Sequence, residues 1–144
     1  MPTPAAFAAT VATAIGVELT AQAVTFSRMS SDLSTVNEPV PEGAARFQLQ
    51  SYTLPQSTNP DSEALYFPAI LVVVLVHYKL TTTERAWTET GPMQPLLQTF
   101  TTPAWWRALT GAHFLDESPV GSDVKRIGNV VSFTVTATVT IDPP

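Results

Sequence analysis

Two histidines, twelve carboxylates and three tryptophans are the side chains of this 144-residue chain best suited to chemistry, and no cysteine joins them. His77 lies late in an apolar run, on the same side as Lys79. A general base needs an orienting carboxylate and a reacting partner within hydrogen-bond reach. Glu84 and Glu89 are near in sequence, but no spacing sets them beside His77. His113, in "GAHFLDES", has Asp116 three residues later, too few ligands for a metal in a chain with two histidines. Without cysteine there is no disulfide, thiolate nucleophile or Cys-ligated zinc. No glycine-rich phosphate loop sits between a strand and a helix, and no serine lies in a nucleophile elbow. Catalytic, cofactor-binding and metal-ligating residues are therefore expected to be none, cofactors none, and a small enzyme ranks last among the possible functions.

The adjacent Trp105 and Trp106 offer a different chemistry, stacking on sugar rings. A carbohydrate- or ligand-binding module using Trp105, Trp106 or Trp87 is the second function to weigh. At helical spacing beside Leu109 such a pair is more often core, because aromatic side chains dominate burial.

The elements that must position these residues follow from periodicity. Pro4 suits a first helical position after a Thr3 cap, and Phe7, Val11 and Ile15 make one apolar stripe, so a helix is expected over 4–15, stopped at Gly16. Strands are expected at 19–26, 46–54, 68–82 and 129–141, with short helices at 93–100 and 103–110. The remaining stretches 27–45, 55–64 and 115–126 read as long loops. In the strand from Pro68, Leu71, Val73 and Leu75 make the second face apolar as well, as in an interior strand whose second face is partly covered by a helix. The sum is a single α+β domain: an antiparallel or mixed sheet of about four strands, with helices packed on one face.

Composition turns attention from chemistry to surface. Charged residues are only 13% of the chain, about half the usual share, and thirteen prolines fix much of the backbone as loop. A surface rich in Thr, Ser, Gln and Pro is less costly to cover with another protein than a charged one, because stripping water from a charge costs more than from a hydroxyl. The net charge is −5, concentrated in the first 63 residues, and this argues against a general nucleic-acid partner. Lys125 and Arg126 are a small local exception, read as solvated loop. The leading "MPTPAAFAATVATAIG" has no basic residue before its apolar run, so no secretory signal is expected. The longest apolar run, "AILVVVLV", is far too short to cross a bilayer as a helix.

The segment "VSFTVTATVTI" alternates strictly from Val131 to Ile141. Val131, Phe133, Val135, Ala137, Val139 and Ile141 share one face; Ser132, Thr134, Thr136, Thr138 and Thr140 share the other. Such a strand spans about 36 Å. It carries no Lys, Pro or bulge signal of the kind that guards a free edge before Asp142. At an edge it would offer its unpaired backbone to a neighbour; placed centrally it would be paired on both sides by its own chain.

In its leading helix, the strand "AILVVVLVHYKL", the helix near "MQPLLQTF" and the closing strand "VVSFTVTATVTI", the chain resembles the tail-terminator and neck-type proteins of long-tailed bacteriophages. The resemblance is architectural and covers most of the chain. It implies a structural virion subunit, without enzymatic activity, assembled in the host cytoplasm. Its implied partners are further copies of itself in a ring (a hexamer is one form) and other tail or neck proteins, with no membrane and no specific nucleic acid. Candidate subunit contacts are Ser31, Asp32, Glu38 and Glu42 in one loop, Asp61 and Glu63 in the next, Lys125 and Arg126, and Thr134, Thr136 and Thr138 of the closing strand.

Overall fold

A computed structural model of the chain describes residues 4–28, 41–53, 69–88, 90–109, 112–114 and 119–141. Among the described residues four helices and seven strands are arranged as α+β. Helix α1 spans Pro4–Ala21. Phe7, Val11, Ile15 and Leu19, each four residues apart, are all buried on its sheet-facing side. The helix runs through the expected stop at Gly16. It ends instead at Ala23, in the left-handed region at φ 58°. Ala23 N–H donates to the Thr20 carbonyl at 2.9 Å and Val24 N–H to that of Leu19 at 3.0 Å, the paired bonds of a Schellman termination. Gly16 answers a packing need rather than a termination need: a Cβ there would stand 2.8 Å from Cζ of Phe26.

The strand expected at 19–26 is accordingly displaced, because its first residues belong to the helix. Strand β1 is Thr25–Arg28, parallel to β2 (Ala44–Thr53). β3 (Ala69–Lys79) runs antiparallel to β2 and to the closing strand. After β3 come α2 (Thr82–Trp87), α3 (Met93–Phe100) and α4 (Pro103–Arg107). Helix α2 was not expected; its signal is the Thr81–Glu84 capping box, in which each side chain binds the other residue's backbone N–H.

The sheet also has more strands than the sequence announced. β4 (Ala112–Phe114), β5 (Val120–Gly121) and β6 (Lys125–Ile127) pair in turn along one side of β7 (Val130–Ile141). The expected loop 115–126 thus contributes two short strands, and β6 returns into β7 through Gly128-Asn129. Gly128 has φ 61°, which a II′ hairpin turn requires of its first central residue. The strand order is β1-β2-β3-β7-β4, with β5 and β6 also on β7. The closing strand is therefore central, flanked by β3 on one side and by β4, β5 and β6 on the other. Its lack of edge protection has a plain reason: its backbone is already paired.

Nearly all the buried apolar side chains among the described residues belong to one cluster on one face. The odd residues Val131 to Val139 of β7 and the even residues Ile70 to Tyr78 of β3 meet α1, α3 and α4. Trp106 is fully buried there, its Nε1–H donating to the Phe100 carbonyl at 2.7 Å. Trp105 packs at the core margin and donates to Glu18 at 3.2 Å. Trp105 and Trp106 are thus not an exposed stacking platform. Trp87 is 86% exposed.

Candidate functional site

The other face of the sheet is where the low-charge composition has its structural expression. Register assigns its rows. Tyr52, Leu71 and Thr138 lie side by side on β2, β3 and β7; so do Gln50, Val73 and Thr136, then Gln48, Leu75 and Thr134. Val120 of β5 extends the middle row beside Thr136. Leu71, Val73 and Leu75 remain partly exposed, whereas Gln48 in the last of these rows is buried. The helix expected to cover them lies elsewhere, since the buried stripes of α1, α3 and α4 all join the cluster on the opposite face. The consequence is an apolar row in the middle of a sheet face, bordered by hydroxyls on one side and amides on the other. Tyr52 at 49% and Val120 at 66% exposure enlarge it. Single exposed apolar residues need no explanation, but a contiguous row does.

Further along the same face the character changes. The next row reads Arg46, His77, Ser132 and Lys125 across β2, β3, β7 and β6, and Lys79 follows two residues beyond His77. Desolvation on the sheet holds the His77 pKa below its ordinary 6.5, so the imidazole is neutral at physiological pH. No residue of the strands on this face is acidic. Glu42 sits at the margin, bridged to Lys79 through the backbone. Its carboxylate accepts from Thr82 Oγ1 at 2.8 Å and lies 3.8 Å from Arg85 Nη2. Those Thr82 hydrogen bonds, with Arg85 and Lys79 nearby, hold its pKa below the usual value.

The expected contact residues thus separate. Thr134, Thr136, Thr138 and Lys125 come together on the open face. Arg126 turns to its own hairpin, Nε donating to the Gly128 carbonyl at 2.8 Å; with Lys125 it lies in a strand rather than in a solvated loop. Glu42 belongs to the α2 margin. Ser31, Asp32, Glu38, Asp61 and Glu63 lie outside the described residues. Leu71, Val73, Leu75, Gln48, Gln50 and Tyr52 were not singled out as contacts; the double-sided apolar pattern of β3 is the signal that points to them.

A second uncharged surface lies on α1. Its exposed residues include Ala5, Ala6, Ala9, Thr13 and Val17, with Val17 at 62%. The hydroxyls of Thr10, Thr13 and Thr20 donate back to the carbonyls of Ala6, Ala9 and Gly16 at 2.9–3.1 Å. Their donors are thereby satisfied within the helix, and methyl groups remain to face outward. A shallow groove lined by Ala12, Thr13, Gly16, Val17, Thr20 and Phe26 runs between α1 and the edge strand β1.

For catalysis the geometry offers little. Among the described residues no three His, Asp or Glu side chains gather as a metal site. His77 has Arg46 and Ser132 beside it on neighbouring strands and no carboxylate in either position. Glu84 is a carboxylate with a structural task, capping α2. No helix among the described residues is long and apolar enough to cross a membrane. No protein-family model matches the chain, and no curated protein is significantly similar to it in sequence.

Proposed function

We propose that the chain is a non-enzymatic structural subunit that works by assembling with copies of itself, as a ring-forming tail-terminator or neck component of a tailed-bacteriophage virion would. The observation that carries the assembly reading is the sheet face turned away from α1, α3 and α4, with the partly exposed Leu71, Val73 and Leu75 in its middle. Burying that row and its threonine and glutamine borders removes apolar area from water at about 25 cal/mol per Å² and desolvates no charge in the three central rows. The methyl-faced α1, on the opposite side of the molecule, supports the same reading as a further surface whose burial strips water from few charges. The virion setting rests on the architectural resemblance of α1, β3, α3 and β7 to tail-terminator and neck proteins.

The test is particle mass by light scattering at micromolar concentration. The proposal expects a discrete multiple of the 15.5 kDa chain mass. A monodisperse 15.5 kDa particle that persists as concentration is raised would contradict it.

A further inference from the structure

We infer that the open sheet face receives a different surface of a second copy of this chain, an acidic one, so that the contact is head-to-tail rather than face-to-face. This rests on the assembly reading above and specifies its geometry. Arg46, Lys79 and Lys125 stand at one end of the face, spread over β2, β3 and β6. Those strands span three inter-strand spacings, about 14 Å. The strand residues of the face contain no acid, although the chain as a whole has twelve acids to seven bases. With these three cations set aside, the remaining residues carry a net −8. The face is therefore complementary in sign to the rest of the molecule and not to itself. Two such faces meeting about a two-fold axis would gain no opposite-charge pairs from their strands. The same face meeting the acidic remainder of a neighbour would, while its apolar rows supply the area. Contacts between unlike patches propagate, and they close into rings when the rotation permits.

Two local facts bound the claim. Arg46 already has a partner within the fold, so the inter-subunit charge falls chiefly on Lys79 and Lys125. Glu42, engaged by Thr82 and Arg85, also lies beside Lys79 at the margin of the face, and Asp123 stands two residues before Lys125 in the connection between β5 and β6. A nucleic-acid backbone would also satisfy a row of cations. The chain's acidity disfavours it, because the −8 remainder would repel a polyanion.

The experiment mixes chain grown in light and in heavy nitrogen and treats the assembled protein with a carbodiimide, which joins a lysine amine to a carboxylate in direct contact. The expected result is mixed-isotope peptides linking Lys79 or Lys125 to carboxylates outside the strands of the face. Reversing both charges (K79E with K125E) is expected to remove the multimer at concentrations where the parent chain is assembled. An assembly that forms no mixed-isotope links from these lysines and keeps its mass in the double variant overturns the head-to-tail geometry and leaves the assembly reading standing. A parent chain that stays at 15.5 kDa overturns both. Duplex DNA bound by the parent chain and released by the double variant, with the multimer unchanged, would assign the cations to nucleic acid and overturn the inference.

Discussion

The Tyr78 hydroxyl donates to Glu84 Oε1 at 2.5 Å, joining the end of β3 to the first turn of α2. The same oxygen accepts the Thr81 backbone N–H at 2.9 Å. Burial pushes the Glu84 carboxyl upward, but the hydrogen bonds from Tyr78 and Thr81 outweigh it and leave the pKa below the ordinary 4.5. Burial first, and then Glu84 itself, push the Tyr78 phenol well above its usual 10. A depressed carboxylate stabilises above its unfolded pKa and loses that contribution as pH falls through the folded value. A raised phenol stabilises below its unfolded pKa and loses its contribution as pH climbs beyond about 10. Glu84→Ala is expected to cost about 1–3 kcal/mol at pH 7, through the lost cap and the orphaned phenol. Urea unfolding at pH 7 and at pH 3 checks this: the cost should shrink at the lower pH.

His77 gives a second pH dependence, with the same sign as that of Glu84 but at higher pH. Because desolvation disfavours its charged form, the unfolded chain takes up a proton first as pH falls below about 6.5. Stability should therefore decline from pH 7.5 to 5.5. His77→Gln is expected to flatten that part of the profile, measured as the urea midpoint at each pH.

Gly121 of β5 faces α3 with no room to spare: a Cβ there would come within 2.6 Å of both Leu97 Cδ1 and Thr101 Cγ2. Leu97 is nearly buried and Thr101 Oγ1 is tied to the Leu97 carbonyl at 2.8 Å. Overpacking should make Gly121→Ala destabilising by about 1–3 kcal/mol. The corresponding change at Gly128 meets nothing within 4 Å and should cost only the left-handed backbone penalty of about 1–2 kcal/mol.

Ala23 is a non-glycine residue held at positive φ where α1 ends. Ala23→Gly should relieve strain at the termination and raise stability by up to about 1 kcal/mol, after the entropy that glycine costs the unfolded state. A rise in the thermal midpoint of a few degrees would register it.

How much of this was legible in the sequence depended on whether local pattern or tertiary pairing decided the outcome. The α+β class, α3, α4 and the two long strands follow from periodicity, and β3 and β7 are paired residue for residue from Ala69–Thr140 to Lys79–Val130. The end of α1 is not legible locally, because Gly16 is a helix stop by propensity while its actual constraint, the Phe26 ring, comes from another element. The central position of β7 could not be read from its own residues, since β4, β5 and β6 are two or three residues long and carry almost no period of their own. Only Gly128-Asn129 announced β6 locally. The open face was half visible: both sides of β3 are apolar, but which side the helices cover is decided by their connections.

The measurement that tests the central claim most directly is the mass of Val73→Lys. Val73 sits at the centre of this face, partly exposed between Gln50 and Thr136, where the strand-propensity cost of a lysine is about 1 kcal/mol. If neighbouring subunits cover this face, the variant should unfold cooperatively yet run as a 15.5 kDa monomer where the parent chain is multimeric. A Val73→Lys protein that retains the parent multimer would show that the face meets solvent and contradict the account.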